Sequence, residues 1–256
     1  MTKGCVFILS VSSDIGHALA LKYLNDGYEV IGTYRNKELI ADLAQESRMQ
    51  LFYCNIALRE SIQFMITAYR AISKPWNIFI SCVGTLEPIG PFFSSDFNVW
   101  EEAVTVNSLA QLRILYELWP HRKQEQLCHA AFFAGGGTNN SFPDYSAYAA
   151  SKVFLIKMCE LLDDENQDMN VFIVGPGFMP TKIHKVLDFL RSGRPQASYG
   201  DVYNCINWCI AKGKNIAGGR NFSVVHDPWR EDTQLIEQLQ RDRNKFKLKR
   251  FRNEEK

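Results

Sequence analysis

The 256-residue chain is predicted to fold as α/β, a single doubly wound parallel sheet of about seven strands with helices on both faces. Three observations carry that prediction. Apolar runs of strand length alternate with longer stretches of helical period from one end to the other. No internal repeat or low-complexity linker interrupts the alternation, and the length suits one domain with a substantial core. The irregular segments, 84–96, 135–144 and 175–198, each directly follow a predicted strand. In an open α/β sheet the ligand crevice lies outside the carboxyl ends of the strands, so these loops are expected to surround a site.

Strands are expected at 4–9, 28–33, 50–54, 77–82, 129–134, 169–174 and 221–225, and helices at 15–26, 37–47, 59–73, 97–118, 145–163, 199–212 and 231–241. The first strand is the apolar run Cys5-Val6-Phe7-Ile8-Leu9, and Ser10 to Gly16 turns from it into a helix. The second ends Val30-Ile31-Gly32-Thr33-Tyr34-Arg35-Asn36, and Asn55 follows the third. The fourth runs out into Ser81-Cys82-Val83-Gly84 and the fifth into Ala134-Gly135-Gly136-Gly137. Pro176-Gly177 turns the chain after the sixth, and His226-Asp227-Pro228-Trp229 follows the seventh. Consecutive β-α-β units cross over right-handed, which winds such a sheet in both directions from its centre.

Hydrophobic content of 46% and charged content of 22% are ordinary for a globular protein. A net charge of +1 gives no reason to expect nucleic acid as a partner. No apolar run reaches membrane-spanning length and the N-terminus carries no leader pattern, so no membrane partner and a cytoplasmic location are expected. The seven cysteines are scattered. Cys205 and Cys209 lie on one helix face without further ligands, and His121 and His129 have no ligand spacing, so the thiols read as buried and reduced and no metal is expected.

The turn Leu9-Ser10-Val11-Ser12-Ser13-Asp14-Ile15-Gly16 stands where a dinucleotide pyrophosphate would rest on free N–H groups at a helix start. Only Gly16 remains of a glycine fingerprint, while Ser10, Ser12 and Ser13 bring hydroxyls that suit phosphate. Asp14 fits beside a phosphate only if its carboxylate caps the helix. The tip of the second strand carries Arg35 and no acid, which favours the 2′-phosphate of NADP(H), with NAD(H) as the alternative. Asn55 is placed to accept from the adenine amino group.

Tyr148 and Lys152 lie four apart in Tyr-Ala-Ala-Ser-Lys and so share a helix face. An ammonium there would hold down the pKa of the phenol and make it a usable proton donor or acceptor. Asn107 precedes this pair in mid-chain, and Pro176-Gly177 with Thr181 follows it. With these segments in this order the chain resembles the short-chain dehydrogenase/reductase family, over nearly its whole length to about residue 226.

The resemblance implies a seven-stranded Rossmann sheet, a nicotinamide cofactor and a catalytic Asn–Ser–Tyr–Lys set. Leu9 to Gly16 lies on the family's glycine-rich turn, with Ser10 and Asp14 in place of its first two glycines, and Ile15 and Gly16 kept. Asn55 falls on the adenine-binding position, and Gly84 is all that remains of the Asn-Asn-Ala-Gly segment. Asn107 matches the catalytic-site Asn, which would hold a water in a proton relay. Tyr148 and Lys152 match the proton-transfer pair, and Pro176, Gly177 and Thr181 match the turn beside the carboxamide. Ala134 sits on the serine, in a segment like a Ser-Gly-Gly-Gly subgroup associated with surface polysaccharides or nucleotide sugars. Thr138, Ser141, an amide of Gly135–Gly137 or the substrate's own hydroxyl would have to replace the lost donor.

The expected function is an NAD(P)-dependent oxidoreductase acting on a polar small molecule. The alternative is a catalytically weak or inactive NADP-binding sensor or assembly protein, and a sugar epimerase would use the same residues. A lid is expected at 180–198, where Lys182, His184, Lys185, Arg191 and Arg194 against Asp188 suggest an anionic substrate or else a solvated helix face. Phe92, Phe93 and Trp100 are candidates for an apolar pocket wall or for core. The tail, 227–256, carries Phe246, Leu248 and Phe251 in an alternation that suits a short strand packed on its own or a neighbouring subunit. The resemblance implies a homo-oligomer, dimer or tetramer.

Overall fold

Apolar strands that lie side by side in parallel must be covered on both faces, and this requirement organises the chain. The computed structural model describes residues 2–179, 181 and 195–248. Its seven strands are β1 (Cys5–Leu9), β2 (Glu29–Tyr34), β3 (Met49–Tyr53), β4 (Ile78–Ser81), β5 (Cys128–Phe133), β6 (Met169–Gly175) and β7 (Asn221–Ser223). They form one sheet in the order β3-β2-β1-β4-β5-β6-β7, every pair parallel. All five residues of β1 are buried. Val6 and Ile8 face one core with helices α1 (Asp14–Asn25) and α6 (Tyr199–Lys212), through Leu19, Val202 and Ile206. Phe7 and Leu9 face the other, with α2 (Arg59–Ile72) and α5 (Ser146–Glu165), through Ile62, Tyr69 and Leu155. The strand order reverses direction between β1 and β4, which is the switch point where such sheets bind ligands.

Two helical expectations are corrected. Residues 37–47 form two single 3-10 turns, Lys37–Ile40 and Leu43–Gln45, because Ile40 and Leu43 alone are buried there and cannot anchor a longer helix. The stretch 97–118 is divided into α3 (Phe97–Val104), a π turn at Thr105–Leu109 and α4 (Ala110–Leu118). A further short helix, α7 (Lys214–Ala217), precedes β7. Among the described residues no helix is long and apolar enough to cross a membrane.

After α8 (Asp232–Arg241) the tail, in its described residues 242–248, runs in turns and forms no strand. It nevertheless packs on its own chain: Phe246 meets Phe222 edge-on at 5.5 Å, and its carbonyl accepts from the Asn221 amide at 2.9 Å. The buried Arg220 guanidinium donates to the carbonyls of Ile216, Leu239, Asp242 and Lys245, so the tail's backbone satisfies a charge that would otherwise be costly to bury. Phe251, and most of the segment expected as a lid, lie outside the described residues.

The turn from β1 into α1 is set by two close approaches. Ser10 adopts a left-handed conformation with φ 66°, and its N–H donates to the Thr33 hydroxyl at 2.9 Å. Gly16 packs so close that a Cβ there would lie 2.2 Å from the Ser10 carbonyl oxygen. A side chain pays a steric penalty at such a φ that glycine does not. Ser10→Gly is therefore expected to stabilise the protein by about 0.5–1 kcal/mol, read as a higher denaturant midpoint at unchanged slope.

Candidate active site

The carboxyl ends of the central strands open on a cavity of about 870 Å³, a volume suited to a small-molecule ligand. It is lined by Ser10, Ser12, Ser13, Ile15, Arg35, Asn55, Gly84, Tyr148, Lys152, Pro176 and Thr181. The structure thus brings these sequence-predicted residues together. Gly16 and Gly177 are not in the lining: Gly16 lets α1 sit against Ser10, and Gly177 turns the chain behind the cleft, against Val225.

At the α1 end, Ser13 is the N-cap, its hydroxyl accepting from the Gly16 amide at 3.1 Å and donating to the Ser10 carbonyl at 2.7 Å. That hydroxyl is engaged locally and is not the free phosphate donor expected of it. Asp14 is the first helical residue rather than the cap. Ser12 accepts from the Arg35 amide at 3.4 Å and so joins this turn to the end of β2. Arg35 and Lys37 are exposed and place two cations on the cleft wall. Asn55 accepts from the Ala57 amide at 3.3 Å, which leaves one of the two lone pairs of its Oδ1 for a ligand.

The loop after β4 is held by amide side chains. Asn107, fully buried in the π turn, donates to the Thr85 carbonyl at 2.9 Å and accepts from the Thr85 amide at 2.8 Å. Its amide therefore faces the loop rather than the cleft. Gln111 was not anticipated from the sequence. It is fully buried, accepts from the Ser81 hydroxyl at 2.6 Å, and donates to the Val106 carbonyl at 3.1 Å and the Val83 carbonyl at 3.5 Å. Its spacing of four residues from Asn107 was the available signal.

Tyr148 and Lys152 stand one turn apart on α5 and both line the cavity. Burial pushes the phenol up to about 12 and the ammonium down to about 8, the latter partly opposed by the Cys82 thiol. The expected lowering of the phenol by the lysine is not met. Lys152 Nζ is turned to the Val83 carbonyl at 3.4 Å and lies 5.8 Å from the phenol ring centre, so desolvation outweighs their attraction.

The phenol oxygen lies against Gly135, where a Cβ would fall 2.1 Å away. Ala134 ends the β5 ladder, its amide donating to the Val174 carbonyl at 3.0 Å, and presents a methyl group to the cleft. Ser141 is exposed, and neither it nor Thr138 lines the cavity. Tyr148 also belongs to an apolar cluster with Leu86, Ile89, Phe142, Tyr145 and Phe178, in which the Phe142 and Tyr145 rings stack at 4.3 Å.

Phe92, Phe93 and Trp100 are neither cavity wall nor core. With Phe97 they form an aromatic group on the surface, with Phe93 97% exposed. The charged residues expected in the lid, Lys182, His184, Lys185, Asp188, Arg191 and Arg194, lie outside the described residues. Among the described residues no group of three His, Cys, Asp or Glu side chains converges as a metal site would require.

The contact between Gly135 and Tyr148 makes a measurable coupling. Gly135→Ala is expected to destabilise by about 1–3 kcal/mol through overpacking. Much less should be lost when Tyr148→Ala is already present, so a double-mutant cycle read by equilibrium unfolding should be clearly non-additive.

Comparison with known proteins places this arrangement in a family. Serine 3-dehydrogenase of Agrobacterium fabrum is 22% identical over 228 residues, covering 84% of this chain and 90% of that protein. A short chain dehydrogenase of Shigella flexneri solved with NADP superposes with a TM-score of 0.78 at 19% identity, over 88% of this chain and 98% of that one. The 3-ketoacyl-(acyl-carrier-protein) reductase of Brucella melitensis solved with NADH gives 0.79 at 16% identity, over 87% and 97%. The sequence pattern of the short chain dehydrogenases matches residues 4–188, and with Tyr148 and Lys152 lining one cavity of a Rossmann sheet, the chain belongs to that family of oxidoreductases.

Proposed function

We propose that the protein is an NADP(H)-dependent oxidoreductase that interconverts a carbonyl and an alcohol. The observation that carries this reading is the meeting of Tyr148 and Lys152 with the α1 turn and Arg35 around one cleft. The cleft fits a nicotinamide dinucleotide: the N-terminus of α1 opens into it and can receive a pyrophosphate. Ser12 adds a hydroxyl, and Arg35 with Lys37 supplies positive charge where a 2′-phosphate would lie. The cofactor, when bound, supplies or accepts the hydride.

The chain's own residues do the rest. Tyr148 gives a proton to the carbonyl oxygen in reduction and takes it back in oxidation. Lys152 holds the ribose and, once drawn toward the phenol, favours its ionised form. Asn107 and Gln111 keep the loop that carries the Val83 carbonyl in register with Lys152. No hydroxyl of Ala134 assists the reacting oxygen, which costs a donor of a kind that commonly contributes a hundredfold to a thousandfold in rate. That lack, with a phenol near 12, supports a second reading in which the protein binds NADP(H) and turns over slowly or not at all. A sugar or nucleotide-sugar substrate finds no support in the described walls.

Titration with NADPH and with NADH, followed by quenching of Trp and Tyr emission, is expected to show tighter NADPH binding, and Arg35→Ala should narrow the difference by about tenfold. Tyr148→Phe should abolish carbonyl reduction while sparing NADPH binding. Retained turnover would remove Tyr148 from the chemistry, and binding without any turnover in the parent protein would favour the second reading.

The pH dependence follows from the same pair. Tyr148 stays protonated, and so able to donate, until about 12, whereas Lys152 is charged only below about 8. Reductive kcat/KM, which reports groups of the free enzyme, should therefore be level at neutral pH and fall as pH rises through about 8. A pH–rate profile level to pH 10 would contradict this.

A further inference from the structure

We infer that Gln111 is a positioning residue for Lys152: it keeps the Val83 carbonyl satisfied when the lysine leaves that oxygen for the cofactor. This rests on the oxidoreductase reading and adds to it the group that frees the lysine to move.

Two donors meet on one oxygen. The Val83 carbonyl accepts from Lys152 Nζ at 3.4 Å and from Gln111 Nε2 at 3.5 Å. A carbonyl has two lone pairs and can hold both, yet each contact is long beside the usual separation of about 2.9 Å, so neither donor is tightly held. Among the described residues this is the one hydrogen bond of the Lys152 side chain, an ammonium with three donors in a buried site. Lys152 and Val83 both line the cavity, so a ligand that brings hydroxyls or negative charge competes directly for the lysine.

Gln111, in contrast, is fixed. The carbonyls of Val83 and Val106 can only accept, so Nε2 must face them, and the buried Ser81 hydroxyl donates to Oε1 at 2.6 Å on the other side. All three contacts hold the amide in one orientation, with a donor beside Val83 whether or not the lysine is there. A peptide oxygen stripped of its partner in this interior would be costly. With Gln111 in place, departure of Lys152 leaves that oxygen a partner. Without Gln111 the lysine would be the last donor to it among the described residues, and cofactor binding would have to strip it bare.

The test is a double-mutant cycle on NADPH affinity in the full chain, with Gln111→Met and Lys152→Met, read by quenching of Trp and Tyr emission. Gln111→Met is expected to weaken NADPH binding about tenfold in the parent chain. In the Lys152→Met chain, where no lysine has to leave, it should weaken binding by less than about twofold. A residue that only stiffens the loop would weaken binding equally in both backgrounds, and that result, or an unchanged affinity in the parent, would overturn the inference. Should Gln111→Met fail to fold, Ser81→Ala, which releases the amide oxygen, is expected to show the same pattern at about threefold. Equal losses in both backgrounds would overturn the inference there too. Failure of the underlying reading shows differently, as absence of NADPH binding to the parent chain itself, and overturns both.

Discussion

The loop after β4 depends on one contact, the pairing of the Asn107 amide with both backbone groups of Thr85. A carboxamide satisfies a peptide's N–H and C=O together, and in a dry interior an unmade half of that pair would be costly. Asn107 can reach Thr85 because the helix is locally widened at Thr105–Leu109. Gln111, one turn on, takes up the Val106 carbonyl within the widened turn and reaches Ser81 below. The end of β4, the π turn and the Val83 carbonyl that Lys152 meets are thereby one hydrogen-bonded unit. π turns of this kind recur at functional sites because they re-aim a side chain that a regular helix would point elsewhere.

The fold was legible because its causes are local and repeated. Seven apolar runs with helical stretches between them leave little choice but a covered parallel sheet, and every predicted strand matches within a residue or two at each end. The cleft was legible for a related reason: its residues follow strand ends, and the ends of parallel strands meet on one side. What could not be read depends on contacts distant in sequence. The π turn that divides the 97–118 helix joins Asn107 to Thr85, which lies well before it in sequence, and the engagement of Ser13 goes with the packing of α1 on Ser10. The raised phenol is likewise a property of burial, which Tyr148 and Lys152 as a pair of letters do not disclose.

Both charge-bearing members of the site sit in surroundings that oppose their charge. For Lys152 the opposing influence is removal from water, and for Tyr148 it is the same, so the phenol is held neutral and the lysine keeps its charge only up to about 8. An anion arriving in the cleft would extend upward the pH range over which Lys152 stays charged, and that charge acts on a phenol one turn away.

The two edges of the sheet are treated differently. At β7 the Asn221 amide is already paired with the Phe246 carbonyl, and that stretch of tail is tied down by the buried guanidinium of Arg220. At β3 the edge is bordered by Tyr53 and Phe64, 55% and 82% exposed. Among the described residues no strand pairs with the outer side of β3, and an edge flanked by exposed rings is the kind of border along which sheets add strands from another chain. Growth or misassociation of this molecule would accordingly be one-sided, beginning beside β3, for as long as the tail stays in place at the far end.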